Sequence, residues 1–338
     1  LRPVLFDGML LDGKVRVPLP VTAPTDTGID FLTSYEEWLC AQRGFPLPGN
    51  QFEYPTCVVG QQVYDDVSRF PRSARDLGQI AGQDAIYSAY FRASMILNDF
   101  GLDALDDENP YKNSGTQSGF ATFGFAHLLL MVGSVHKAER HAWFEKWFVH
   151  RYLQPEVFAG RVHNHVTGRA NYPIDQSLLT SPVLDRIFEH NRTLNRRRGI
   201  GREPGTFLLP ILFPHGSPIH PSFPSGHAQT AGTCVTLLKA WFNEDFPIPN
   251  PVQPNADGTA LEPYNGVLTV GGELNKLAHN LSMGRDMSGV HWRADDIQGN
   301  RLGEEVALRI LREARATYSE PFNGFTLIKF DGTPVIIV

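Results

Sequence analysis

His220-Pro221-Ser222-Phe223-Pro224-Ser225-Gly226-His227 is followed by an unbroken helical run to about residue 243. Pro224 halts any preceding helix, and Ser225 is a natural N-cap. The backbone N–H groups just after such a cap have no intrahelical partner, so they attract an anion together with the helix dipole. Gly226 allows close approach of a bulky oxyanion, and His227 can exchange a proton with it. Taken alone, these residues also describe an ordinary capped helix with a surface histidine.

Working outward, helical spacing covers residues 74–98, 120–153 (as two helices), 271–283 and 292–317. Residues 1–30 are rich in Pro, Gly and Asp and predict an extended arm. Thr33-Ser34-Tyr35-Glu36-Glu37 predicts a capped helix start. Residues 160–222 predict an irregular stretch with few helices, 244–267 a proline-rich loop, and the last twenty residues an extended end. Arg196-Arg197-Arg198 predicts a solvated loop. The expected architecture is mainly α, a helical bundle with long loops and extended N- and C-terminal segments. A single catalytic domain is expected over 1–338, with a loop-rich arm at 1–72 and a helical core carrying the site at 73–338.

The composition bounds the function. The chain has 338 residues, 42% hydrophobic and 20% charged, with a net charge of −6. That is an ordinary globular composition, and the charge gives no basis for nucleic-acid binding. An anionic ligand therefore needs a local basic pocket. No apolar run is long enough to span a bilayer. The expectation is a soluble protein, its compartment open between periplasm, cell wall and secretion. Three cysteines, Cys40, Cys57 and Cys234, leave at least one unpaired, and Cys40 with Cys57 is the pairing to consider.

Two further segments carry chemistry. Lys146-Trp147-Phe148-Val149-His150-Arg151 is followed by Gln154-Pro155-Glu156, and Lys146 offers a mobile donor. Gly284-Arg285-Asp286-Met287-Ser288-Gly289-Val290-His291 leads into Asp295. Arg285 and His291 cannot share a helix face, but a bend at Gly289 brings both to one ligand. Asp295, four residues beyond His291, predicts a carboxylate that fixes the imidazole tautomer. Each segment alone is better read as structural, the first as a helix lysine beside tryptophan and the second as a surface Arg–Asp pair with a core histidine.

In this order, Lys146, Ser225-Gly226-His227 and Arg285…His291 resemble the signature of the vanadium-dependent haloperoxidases and the type 2 phosphatidic-acid-phosphatase superfamily. Leu32-Thr33-Ser34-Tyr35-Glu36-Glu37-Trp38-Leu39 and Leu268-Thr269-Val270-Gly271-Gly272-Glu273-Leu274-Asn275-Lys276-Leu277-Ala278 are similar to the red-algal and cyanobacterial bromoperoxidases. The resemblance implies a vanadate cofactor, or phosphate in the same cage. His291 would be the metal ligand, and His227 the acid–base group with Lys146 and His220 beside it. Lys146, Gln154, Ser225, Gly226, His227 and Arg285 would hold the oxyanion. Where the family carries an arginine before the proline, this chain has Gln154. A neutral amide in place of a charged donor is expected to cost about 1–2 kcal/mol, roughly tenfold in vanadate affinity.

The implied reaction is oxidation of bromide or iodide by hydrogen peroxide to hypohalous acid, which halogenates small organic acceptors. The alternatives are a phosphatase with His291 as nucleophile and a degenerate structural homologue. Relatives also imply a homo-oligomer, a dodecamer by resemblance, and a longer chain whose N-terminal portion is expected to be missing here.

Overall fold

A computed structural model describes residues 9–12, 15–18, 30–44, 70–71, 73–83, 86–200 and 205–338. At its centre lies α9 (Gly226–Trp241), buried on every side from Ala228 to Trp241. An all-round buried helix needs neighbours on all faces. They are α3 (Ser88–Asp99), α4 (Phe125–Gly133), α5 (Val135–Glu145), α10 (Val270–Met287) and α11 (Arg293–Arg315). The core joins Leu97, Leu128, Val132, Val235, Leu238, Trp241, Leu274 and Leu308.

The tightest of these packings, α9 against α11, is made by glycine. A Cβ on Gly232 would run into the Asn300 carbonyl, and one on Gly303 into the Gln229 carbonyl. Backbone therefore meets backbone, and no side chain fits between them. Two buried hydroxyls of α9 are satisfied by Glu139 of α5, which accepts from Thr230 Oγ1 at 3.0 Å and Thr233 Oγ1 at 2.9 Å. Such partners remove most of the cost of burying them.

The outer elements are α1 (Tyr35–Gln42), α2 (Ala74–Gln83), α6 (Pro155–Val166), the short α7 (Gln176–Leu179) and α8 (Pro182–Arg198). Three antiparallel hairpins complete the described residues: β1–β2 (Met9–Asp12, Val15–Pro18), β3–β4 (Val252–Pro254, Leu261–Pro263) and β5–β6 (Phe325–Ile328, Pro334–Ile337). The α1 helix begins at the expected cap, where the Ser34 hydroxyl accepts from Glu37 N–H at 3.2 Å.

Three sequence expectations are corrected. Residues 160–222 are not largely irregular, since the second half of α6, α7 and the 17-residue α8 fall within them. Ser181 caps α8, Pro182 opens it and Gly199 closes it at φ 65°, so start and stop signals were present without strong apolar periodicity. Arg196–Arg198 form the last turn of α8, where cations favour the helix dipole, and Arg198 pairs with Glu37 at 2.5 Å. The helical run at 74–98 is two helices, α2 and α3. Cys40 is disulfide-bonded and Cys234 is free and buried; Cys57 and most of the 1–29 arm lie outside the described residues.

A smaller cluster of Phe31, Leu32, Trp38, Leu208, Ile211, Leu212, Phe213 and Val290 matters for the site. Leu212 N–H donates to Ser288 O at 3.1 Å and Val290 N–H to Arg285 O at 3.2 Å, which pins the chain on either side of Gly289. Gly289 itself has φ +79°, a conformation that favours glycine. That turn ends α10 and releases His291 ahead of α11.

Candidate active site

The three segments meet at the N-terminus of α9. Ser225 is its N-cap and accepts from Ala228 N–H at 3.4 Å. Gly226 and His227 are the first two helical residues, and the Cβ position of Gly226 faces the Trp143 ring at 3.0 Å. The Phe223–Pro224 bond just before them is cis.

Lys146 begins a single π-turn, Lys146–His150, that follows α5 without a break. The turn swings the buried Lys146 toward the α9 start. Its Nζ donates to Pro224 O at 2.6 Å and Ser222 O at 3.3 Å, which leaves one ammonium proton for a third acceptor. Burial lowers its pKa to about 7; the Arg285 charge adds to this and Asp295 opposes it.

Arg285, buried near the end of α10, donates through Nη1 to Ala81 O of α2 at 3.1 Å. Burial lowers its pKa to about 10, partly offset by Asp296, so it stays cationic at neutral pH. His291 is buried, and its Nδ1 lies 3.3 Å from Asp295 Oδ2. Burial draws His291 down to about 4 despite Asp295, which leaves a neutral imidazole with Nε2 available. The predicted His291–Asp295 pairing is present, but not through a shared helix face. His291 precedes α11, and Asp295 caps the start of that helix, accepting from Trp292 N–H at 3.0 Å.

His220 stacks on His291 with ring centroids 5.9 Å apart and planes at 26°. Its Nδ1 donates to Pro221 O at 2.8 Å, and burial with the Lys146 charge lowers it to about 4. His227 is held well below its ordinary value by burial first, then by the Arg285, His291, His220 and Lys146 charges. Gln154, buried at the N-cap of α6, donates to His220 O at 2.8 Å. Gln154, Ser225 and Gly226 thus lie in one cluster with Lys146, His220, His227, Arg285 and His291.

The donor set suits an oxyanion. Arg285 Nε and His227 Nε2 are buried without a hydrogen-bond partner among the described residues, although orphaned polar atoms are costly. Beside them stand the third Lys146 proton, the free N–H groups of the α9 start and the unmatched charges of Arg285 and Lys146. No group of three or more His, Cys, Asp or Glu suited to holding a metal ion occurs among the described residues. Gln154 does not fill a charged role: its amide is tied to a backbone carbonyl, and its Oε1 is buried and unpaired.

A cavity of about 380 Å³ opens onto this cluster past Gln154, His220 and His215. His215 was not singled out from the sequence. It stacks on Phe213 at 5.3 Å and its pKa is lowered by burial and then by Arg285. Asp286 and Asp296 were also passed over. These buried carboxyls face each other and hydrogen-bond to one another, with the Ser225 hydroxyl beside Asp296. Burial raises both; the Asp286 charge raises Asp296 further, while the hydrogen bond from Asp296 holds Asp286 lower, so the pair shares a proton. The available signal was the placement of two acids on either side of the Gly289 bend. A larger groove, about 840 Å³ between α5 and α11, contains none of the cluster residues.

Known proteins resemble this chain over most of its length. The family model for the VCPO second helical-bundle domain matches residues 196–320. A vanadium-dependent bromoperoxidase of Ascophyllum nodosum is 37% identical over 325 residues, 94% of this chain and 55% of that protein. One from Corallina pilulifera is 36% identical over 344 residues, 98% of this chain and 55% of that protein. The chain thus spans about half the length of the curated relatives it matches. The homohexameric second vanadate-dependent bromoperoxidase of Ascophyllum nodosum superposes with a TM-score of 0.82 at 27% identity, covering 96% of this chain and 56% of that one. Over the part of their length that it spans, this chain is similar in sequence and in fold to the vanadium-dependent bromoperoxidases.

Proposed function

We propose that the cluster binds vanadate and oxidises bromide or iodide with hydrogen peroxide to hypohalous acid, which halogenates small organic acceptors. The observation that carries this reading is the convergence of Lys146, Arg285, His220, His227 and His291, with Arg285 Nε and His227 Nε2 left without partners. The similarity to proteins named as vanadium-dependent bromoperoxidases supports it. The described residues act as one catalytic domain within a homo-oligomer, a dodecamer in its finer form. Among them no helix is long and apolar enough to cross a membrane.

Bound vanadate would supply Lewis-acid activation of peroxide toward halide. His291 would hold the metal through Nε2, because Nδ1 faces Asp295. Its low pKa keeps the imidazole neutral, as a ligand must be. Arg285, Lys146, Ser225 and the Gly226 N–H would bind the oxygens, with Gln154 supplying position rather than charge. His227 enters neutral and can take a proton at Nε2. His220, stacked on His291, would tune the imidazole and border the halide.

The test is direct. After vanadate loading, the protein should brominate a phenolic dye with bromide and peroxide, and should not hydrolyse p-nitrophenyl phosphate comparably. Hydrolysis alone would point to the phosphatase reading, in which His291 is the nucleophile. Failure to retain vanadium at excess vanadate would point to a structural homologue.

A further inference from the structure

A second cavity, about 530 Å³, lies against the cluster and has a different lining: the rings of Tyr152, Phe158, Phe223 and Trp292, with Ser222 and Asp295. The rings are arranged as two edge-to-face pairs, Phe158 on Trp292 at 5.8 Å and Tyr152 on Phe223 at 5.9 Å. Tyr152 and Trp292 are exposed at 57% and 39%, so the pocket is open from outside. The Ser222 hydroxyl is buried and has no partner among the described residues. Asp295 belongs to both places, since its carboxylate also meets His291. Leu153 and Tyr152 border this pocket and the 380 Å³ mouth alike, and Trp292 Nε1 donates to Leu153 O at 2.8 Å across that ridge.

From this arrangement we propose that the aromatic pocket is the binding site for the organic acceptor, a neutral planar aromatic bearing an N–H or O–H donor, such as a phenol or an indole. The volume admits a bicyclic ring, and aromatic walls favour offset and edge-on contacts with it. The polar edge is the Asp295 carboxylate, with the buried Ser222 hydroxyl behind it. A donor satisfies it, whereas an acceptor carrying its own carboxylate is repelled. The proposal rests on the haloperoxidase reading for its chemistry. Hypohalous acid formed at the cluster transfers its halogen to a ring carbon, the carbon loses a proton, and the oxygen departs as water. An acceptor held here meets the reagent before it disperses, which makes the site of substitution depend on the pocket.

Binding is measured without turnover, so the result does not depend on activity. Indole is titrated into the full chain by equilibrium dialysis, with no halide or peroxide. Saturable binding is expected in the wild type, weakened at least fivefold by Phe158→Ala and by Tyr152→Ala. The exposed position of Tyr152 guards against loss of the fold. In turnover, acceptor-free bromide oxidation, read as tribromide, should be unchanged in both variants. Their indole products should shift toward those of free hypobromous acid. Non-saturable binding, equal affinity in both variants, or a pocket closed by a second copy of the chain would overturn the proposal. Absence of tribromide in every protein alongside intact indole binding would instead overturn the haloperoxidase reading alone.

Discussion

At neutral pH Lys146 stands near half-protonation, because burial draws its pKa to about 7. Above that value its charge, and with it part of the hold on an anion, is lost. Vanadate affinity should therefore fall from pH 6 to pH 8. In Lys146→Arg, which stays charged, the fall should be shallower. Dialysis with elemental analysis measures both, and vanadate's own ionisation is common to the two proteins. Equal slopes would remove Lys146 from the cage. Gln154 gives a second residue-scale outcome. Gln154→Arg restores a charged donor and should tighten vanadate by about tenfold, or ~1–2 kcal/mol. An unchanged or weakened affinity would mean that the Gln154–His220 carbonyl tie matters more than charge. Lys146, Ser225, His227, Arg285 and His291 were legible in the sequence because residue type and order carry their chemistry. His215 and the Asp286–Asp296 pair were not, since their meaning depends on loops and on a bend that place distant atoms face to face.

At the scale of elements, the contact between α9 and α11 fixes where the Ser225–His227 turn sits relative to Asp295 and Asp296. Gly303→Ala puts a methyl against the Gln229 carbonyl and should destabilise the protein by about 1–3 kcal/mol, as overpacking generally does. The urea midpoint should fall, and vanadate affinity should fall with it. A neutral result would show that α11 can shift freely. The central helices were legible, since α9, α10 and α11 show caps and periodicity. The α8 helix was missed because its polar, arginine-rich face and few buried residues (Leu184, Asn191, Leu194, Asn195) blur the pattern that marks a core helix. Its buried asparagines bind backbone instead: Asn191 Nδ2 donates to Leu208 O at 2.8 Å, and Asn195 Nδ2 to Thr33 O at 2.9 Å. Such long-range bonds leave no local period to read.

For the molecule as a whole, two sets of buried groups pull stability in opposite directions with pH. His220 and His291 have folded pKa values of about 4. The unfolded chain, with histidine near ~6.5, binds more protons between those values, so stability is lost as pH falls through that window. The Asp286–Asp296 pair is raised, so the folded state binds the extra proton. Its contribution is fullest below the ordinary carboxylate range and is lost as pH rises through the raised values. The wild-type stability relative to Asp296→Asn should therefore decline from pH 4 to pH 9, a difference in which Lys146's opposite contribution cancels. Urea unfolding at matched pH measures it, and a flat difference would mean the pair is not sharing a proton.

Several ties already cross the site with no anion involved: Lys146 to Pro224 O, Gln154 to His220 O, and Trp292 to Leu153 O. They join all three chemistry-bearing segments through backbone carbonyls. The entropy of ordering them is thus met during folding rather than at ligand arrival. Uptake of the ion should then follow a single exponential whose rate grows linearly with concentration, without the plateau that a slow rearrangement imposes.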